Sequence, residues 1–139
     1  MAKSLLRCAV LYALFGISLG VVMAASHDFA NKGVHVHVNL VGWVSMAVMA
    51  MAYHAFPAMA ESMLAKVQFW LHNLGLPLMA YGIYAIMHGL PMAEPIVGSG
   101  SLIVALAFVA FAANVWLNAG REVERSSFGA RREAVVQAA

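Results

Sequence analysis

Charge is what this sequence has least of. Only 10% of its 139 residues are Asp, Glu, Lys or Arg, whereas 63% are hydrophobic and the mean hydropathy is +0.82. Soluble globular domains carry roughly 25% charged residues, so that class is excluded and the chain reads as an integral membrane protein. Cysteine is nearly absent as well. Cys8 stands alone, which rules out an intramolecular disulfide and a multi-cysteine metal site within one protomer, and its neighbours do not make it reactive. The net charge is only +2, with basic residues at the borders of apolar runs, which gives no footprint for nucleic acid. Paired acids inside the apolar runs, which a proton-coupled transporter would use, are missing.

The few charges are clustered, so four intervals hold none: Arg7 to Asp28, Lys32 to Glu61, Lys66 to Glu94, and Glu94 to Arg121. Each has room for a bilayer-spanning helix, which needs about 20 apolar residues at 1.5 Å rise. The fold class expected is therefore all-α: one four-span membrane domain over residues 1–120, with spans near 5–25, 34–56, 67–87 and 101–119, and a charged tail over 121–139. The opening stretch MAKSLLRCAVLYALFGISLGVVMAAS also has the basic start, apolar middle and small-residue end of a secretory signal; retained, it is the first span. Lys3, Arg7, Lys66, Arg121, Arg125, Arg131 and Arg132 share one side of such a protein, against Lys32 on the other. Both termini are then cytoplasmic, and the loops SHDFANKG and HGLPMAEPIVGSG face outward, into the periplasm if the membrane is a bacterial inner membrane.

Six histidines lie within or beside these spans, where ionisable groups are costly enough to count as functional candidates. His27, His35, His37 and His88 fall at the outer ends of helices; His54 and His72 fall toward the cytoplasmic ends. His37 and His54 are about 25 Å apart along one helix axis, too far to serve one centre. His35 and His37 are about 200° apart around a helix, so they address different neighbours. That disfavours zinc, which prefers histidines at i and i+4 on one face. It suits haem, whose macrocycle is buried by apolar side chains while imidazoles ligate the iron from either side. The plain alternative is interhelical hydrogen bonding, which covers His54 and His72 well. The short loop between their helices also makes those two possible neighbours, bonded to each other or sharing a second cofactor.

The residues around the second and third spans resemble the last four helices of subunit I of the haem-copper oxidases and related nitric oxide reductases. His27-Asp28 stands six residues before His35-Val36-His37, as in that family, and Gly42, Tyr53, Phe56 and Pro57 follow its pattern. Phe69, Trp70, Gly75, His88, Gly89 and Pro91 match its next helix. The resemblance implies that His35 ligates a high-spin haem and His37 a low-spin haem, and that His27 and Asp28 hold a divalent ion. The copper-binding helices, the crosslinked tyrosine, the other axial histidine and the arginine pair after Gly-x-Pro have no counterpart. Oxygen reduction by this chain alone is therefore not expected, and no catalytic residue is assigned. A second axial ligand would come from His88, another protomer or another subunit.

Gly75, Gly82 and Gly89 recur every seven residues in the third span, a small-residue stripe that predicts self-association. Because the family's twelve helices form three four-helix arcs, the resemblance favours a homotrimer, with a dimer open. The function expected is a membrane protein binding b-type haem, for electron transfer or for binding NO, CO or O2, with a redox protein or a quinol as partner. The alternative is a haem-free accessory subunit or assembly factor of a respiratory oxidase; a small transporter using His54 and His72 ranks last.

Overall fold

The computed structural model describes residues 1–121; the tail expected beyond Arg121 lies outside the described residues. Every regular element among them is helical. In chain order these are α1 (Ala2–Ser26), α2 (Lys32–His37), a π-helical segment (Val38–Ser45), α3 (Met46–Ala55), α4 (Pro57–Glu61), α5 (Met63–Met87) and α6 (Ala93–Asn118). The stretch from α2 through α3 is one continuous rod, Lys32–Ala55. This rod, α1 and α6 are long and apolar enough to cross a membrane. α5 is as long as α1, at 25 residues, but Lys66, Gln68, His72 and Asn73 dilute the hydropathy of its first half.

Local chemistry sets the boundaries. Phe56 is extended (φ −123°, ψ 83°), as a residue before proline must be to avoid the clash with the ring, and Pro57 then opens α4 at a position that needs no N–H. Ser62 caps α5, its Oγ accepting from the Ala65 N–H at 3.1 Å. α6 departs most from the sequence expectation. It begins at Ala93, not near Ser101, so most of the stretch read as an outer loop is helix. Pro95 is harmless in a first turn. Gly100 stays helical because it is packed: a Cβ there would strike the backbone of Met79.

Two helix pairs make up the molecule. In one, α5 and α6 approach backbone to backbone, since a Cβ on Gly82 would meet the backbone of Val97 and one on Gly75 the backbone N of Val104. The glycine stripe is thus consumed inside the chain. Gly89, its third member, adopts φ +63° in the turn after α5 with open space around it. The stripe therefore gives no support to self-association, because the faces it was expected to offer a partner are already buried. In the other pair, α1 lays Leu5, Ala9, Ala13 and Gly16 against the Lys32–Ala55 rod. Outside these seams the surface is apolar, with Trp116 84% and Leu11 66% exposed, the reverse of a soluble protein.

At the end that carries the α3–α5 connection, the pairs are tied together by a polar network. The Tyr53 hydroxyl donates to Gln68 Oε1 (3.2 Å) and the Gln68 amide to Met49 Sδ (3.1 Å). Asn114 donates to the Met59 carbonyl (3.1 Å) and accepts from Ser62 Oγ (3.0 Å) and the Asn118 amide (2.8 Å). Tyr53, Gln68 and Asn114 are all buried. Bonds of this kind between apolar helices contribute about 0.6 kcal/mol each on average, and they fix which helix ends meet.

Candidate functional site

The histidine-rich end lies opposite that network. α1 and α2 are joined there by a short loop, and His35 is the residue that reaches back across the seam. Its Nδ1 is 2.8 Å from the carbonyl oxygen of Gly16, and its ring occupies the space that a Cβ on Gly20 would fill. A carbonyl only accepts, so Nδ1 carries a proton, and in the neutral tautomer the lone pair is on Nε2. The Asn39 amide lies 3.4 Å from the same Nδ1 but 2.8 Å from the His35 carbonyl. With Nδ1 protonated, the carbonyl is its acceptor. Gly16 clears room for Asn39 in the same way that Gly20 does for His35.

His37 leaves the helix on another face. Its Nδ1 donates to the Gly33 carbonyl of its own helix at 2.8 Å, and Gly33, one turn away on that face, packs against Ile83 of α5. His35 is thus turned to α1 and His37 toward the α5 side, and both are half-buried. His88, exposed at the end of α5, repeats the pattern: Nδ1 donates to the Tyr84 carbonyl at 2.9 Å, and the imidazole stacks on the Tyr84 ring at 4.0 Å. In all three, Nδ1 donates to a backbone carbonyl and Nε2 makes no hydrogen bond. No hydrogen bond joins any two of them.

The remaining sequence candidates are placed apart. His27 ends α1 in the left-handed region (φ 54°) and is exposed. Asp28, also exposed, spends Oδ1 on the Ala30 N–H at 2.9 Å. Among the described residues no three His, Cys, Asp or Glu side chains gather into a metal-holding group. His54 is exposed near the other end of the rod, beside Lys3 and Met51. His72 is fully buried in α5, with Nε2 3.0 Å from the Val41 carbonyl and its ring 5.6 Å from Phe108.

The expectation that His54 and His72 are neighbours is therefore corrected. His72 meets the rod at Val41, about 20 Å of helix before His54, whereas it is Gln68, one turn earlier in α5, that meets the last turn of α3, through Tyr53. The Nδ1 of His72 has no partner.

Sequence reasoning missed the partners of these histidines more than the histidines themselves. Gly16, Gly20 and Asn39 form the seat of His35, and nothing in the spacing of α1 relative to α2 could have paired them. Gln68 and Asn114 were visible as polar residues inside charge-free intervals, a signal that was there to use. Along the face between α1 and α5 runs a groove of about 560 Å³, floored by Val34, Val38 and Leu76 and open on one side. No family model, no curated protein and no solved structure matches the chain.

Proposed function

We propose that the chain is a four-span membrane protein, with α5 as the additional span and both termini cytoplasmic, that binds b-type haem at its outer end through His37 and His35. What supports this is one observation: each of these imidazoles has its Nδ1 proton held by a backbone carbonyl at 2.8 Å. Metal-bound histidines are normally oriented this way, because the bond fixes the tautomer and raises the basicity of Nε2. The surroundings are largely apolar, with Asp28 and Lys32 the formal charges in the adjoining turn, and a neutral imidazole is the cheapest ligand to keep in lipid. When bound, haem supplies one-electron exchange if both axial positions are imidazoles and gas binding if one is open. His37 would hold the group from the α5 side; His35, pinned between Gly16 and Gly20, would hold it from the α1 side. His88, whose Nε2 also makes no hydrogen bond, would be a further residue able to hold the group, as would histidines of a neighbouring copy in a homo-oligomer, trimer or dimer.

The reading makes the protein an electron carrier or gas-binding protein of the bacterial inner membrane, fed by a redox protein or quinol. A second reading has its own support. The His35–Gly16 bond couples two helices whether or not iron is present, as a haem-free accessory subunit would need. An absorption spectrum of protein purified after haem-replete expression separates them. Reduced b-type bands that shift in His37→Ala carry the first reading; a colourless, folded protein carries the second.

A further inference from the structure

We propose that His72 is a positioning residue, holding the middle of the Lys32–Ala55 rod in π-helical form and thereby setting the directions in which His35 and His37 face. Its consequence for haem rests on the reading above; its consequence for the helix does not. His72 is fully buried, with Nε2 3.0 Å from the Val41 carbonyl and no partner for Nδ1. An unpaired ring nitrogen in an apolar interior is costly, so an apolar side chain would serve better if packing were all that mattered. The hydrogen bond the ring does make goes to the rod.

The rod changes helix type where that bond lands. Val38–Ser45 is π-helical, each N–H pairing with the carbonyl five residues back in place of four, a rare form that local propensity does not select. Side-chain contacts stabilise it. Ser45 Oγ donates to the Leu40 carbonyl, five residues back, at 2.8 Å, and Gly42 lets the Tyr12 and Leu76 side chains close on the segment. His72 adds a donor from a fixed frame: α5 is locked to α6 where Gly75 meets Val104 and Gly100 meets Met79, and the His72 ring lies 5.6 Å from Phe108.

A π-helix turns about 82° per residue where an α-helix turns about 100°. Over the eight residues of the segment the difference is roughly 140°. His35 and His37 stand before the segment and α3 after it, with α3 held by the bond from Tyr53 to Gln68. Relaxation to α-helix would turn both histidines by that angle relative to α3, and His35 would leave its seat on Gly16.

The test uses the full-length protein in phosphatidylcholine nanodiscs with its histidines labelled with nitrogen-15. Magic-angle-spinning NMR without haem reads the His35 ring, and absorption and electron paramagnetic resonance read the haem-loaded protein. The parent should show His35 Nδ1 protonated and hydrogen-bonded. His72→Leu removes the donor and keeps an apolar side chain; the His35 hydrogen-bond signature should vanish, and haem affinity should fall about tenfold with shifted low-spin g values. His72→Gln, whose amide can donate to a carbonyl, should restore both. The sharper arm combines His72→Leu with deletion of Leu40, an exposed residue of the segment. Removing one residue takes back about 100°, so His35 should regain its Gly16 bond with no imidazole on α5 to hold the rod, which a merely structural role for His72 does not predict. An unchanged His35 signal in His72→Leu overturns the proposal, as does a deletion variant that lacks the Gly16 bond or does not fold. A parent that binds no haem removes the haem reading and leaves the NMR arms to decide this one.

Discussion

The two ends of the molecule spend their polar atoms in opposite ways. At the α3–α5 end, Tyr53, Gln68, Ser62 and Asn114 bond mainly to one another and to the Met59 carbonyl. Each has a protein partner, and the cluster is finished. At the other end, His35, His37 and His88 each use one ring nitrogen on a carbonyl and keep the other without a hydrogen bond. In an apolar chain both arrangements are costly to assemble. The first returns that cost as helix registry; the second keeps a lone pair available for something outside the chain. Incomplete satisfaction, and not polarity itself, is what distinguishes a candidate site from a structural lock.

The largest effect should come from neither end but from the seam that holds both in place. Gly82→Leu would drive a side chain into the backbone of Val97, and overpacking of that kind costs about 3 kcal/mol or more. Loss of folded protein is expected, read by proteolysis in detergent or by yield after extraction. If Gly82→Leu instead folds and changes only the oligomer, the stripe acts between chains and the two-pair description fails.

Next in size is the contrast between the histidines themselves. His37→Ala should remove most bound haem while the helical signal in circular dichroism survives, since alanine is the better helix former. His35→Ala should also release the tie to Gly16, and so lower both haem content and thermal stability, the latter by about 1 kcal/mol. Equal stability of the two variants would mean that the Gly16 bond contributes nothing. Haem retained in both would detach the cofactor from this end altogether.

Asn114→Leu tests the opposite end. It removes a group that bonds to Ser62, Asn118 and the Met59 carbonyl and strands several of them in an apolar setting. A loss of about 2 kcal/mol is expected, with an unaltered spectrum per folded molecule. A spectral change would show that the ends are coupled and that the lock is part of the site.

These contrasts were only partly legible in the sequence. The absence of charge announced the helices, since a charge-free interval has little other use in lipid. The divergence of His35 and His37 followed from 100° per residue, and they lie just before the π-helical segment begins at Val38, so that arithmetic applied. The start of α6 was hidden because GSGS reads as a loop until Met79 is placed against Gly100. The partners of His35 and His72 were hidden for the same reason: they depend on the register between helices, which no single helix encodes. The glycine stripe was visible, but spacing alone could not say whether its partner was α6 or another copy.

The smallest effect is expected at His54, and for that reason it is the sharpest control. It lies on the same rod as His37, about 25 Å along the axis, and is exposed. Its neighbours at the shallow groove, Ala2, Lys3, Leu6, Ala50 and Met51, supply one charged group and otherwise apolar surface. His54→Ala should therefore leave haem content and spectrum unchanged and stability within about 0.5 kcal/mol of the parent, measured beside His37→Ala in the same detergent. Were His54→Ala to lose haem while His37→Ala kept it, the cofactor would belong at the α3–α5 end. The free Nε2 atoms of His35, His37 and His88 would then need a different purpose.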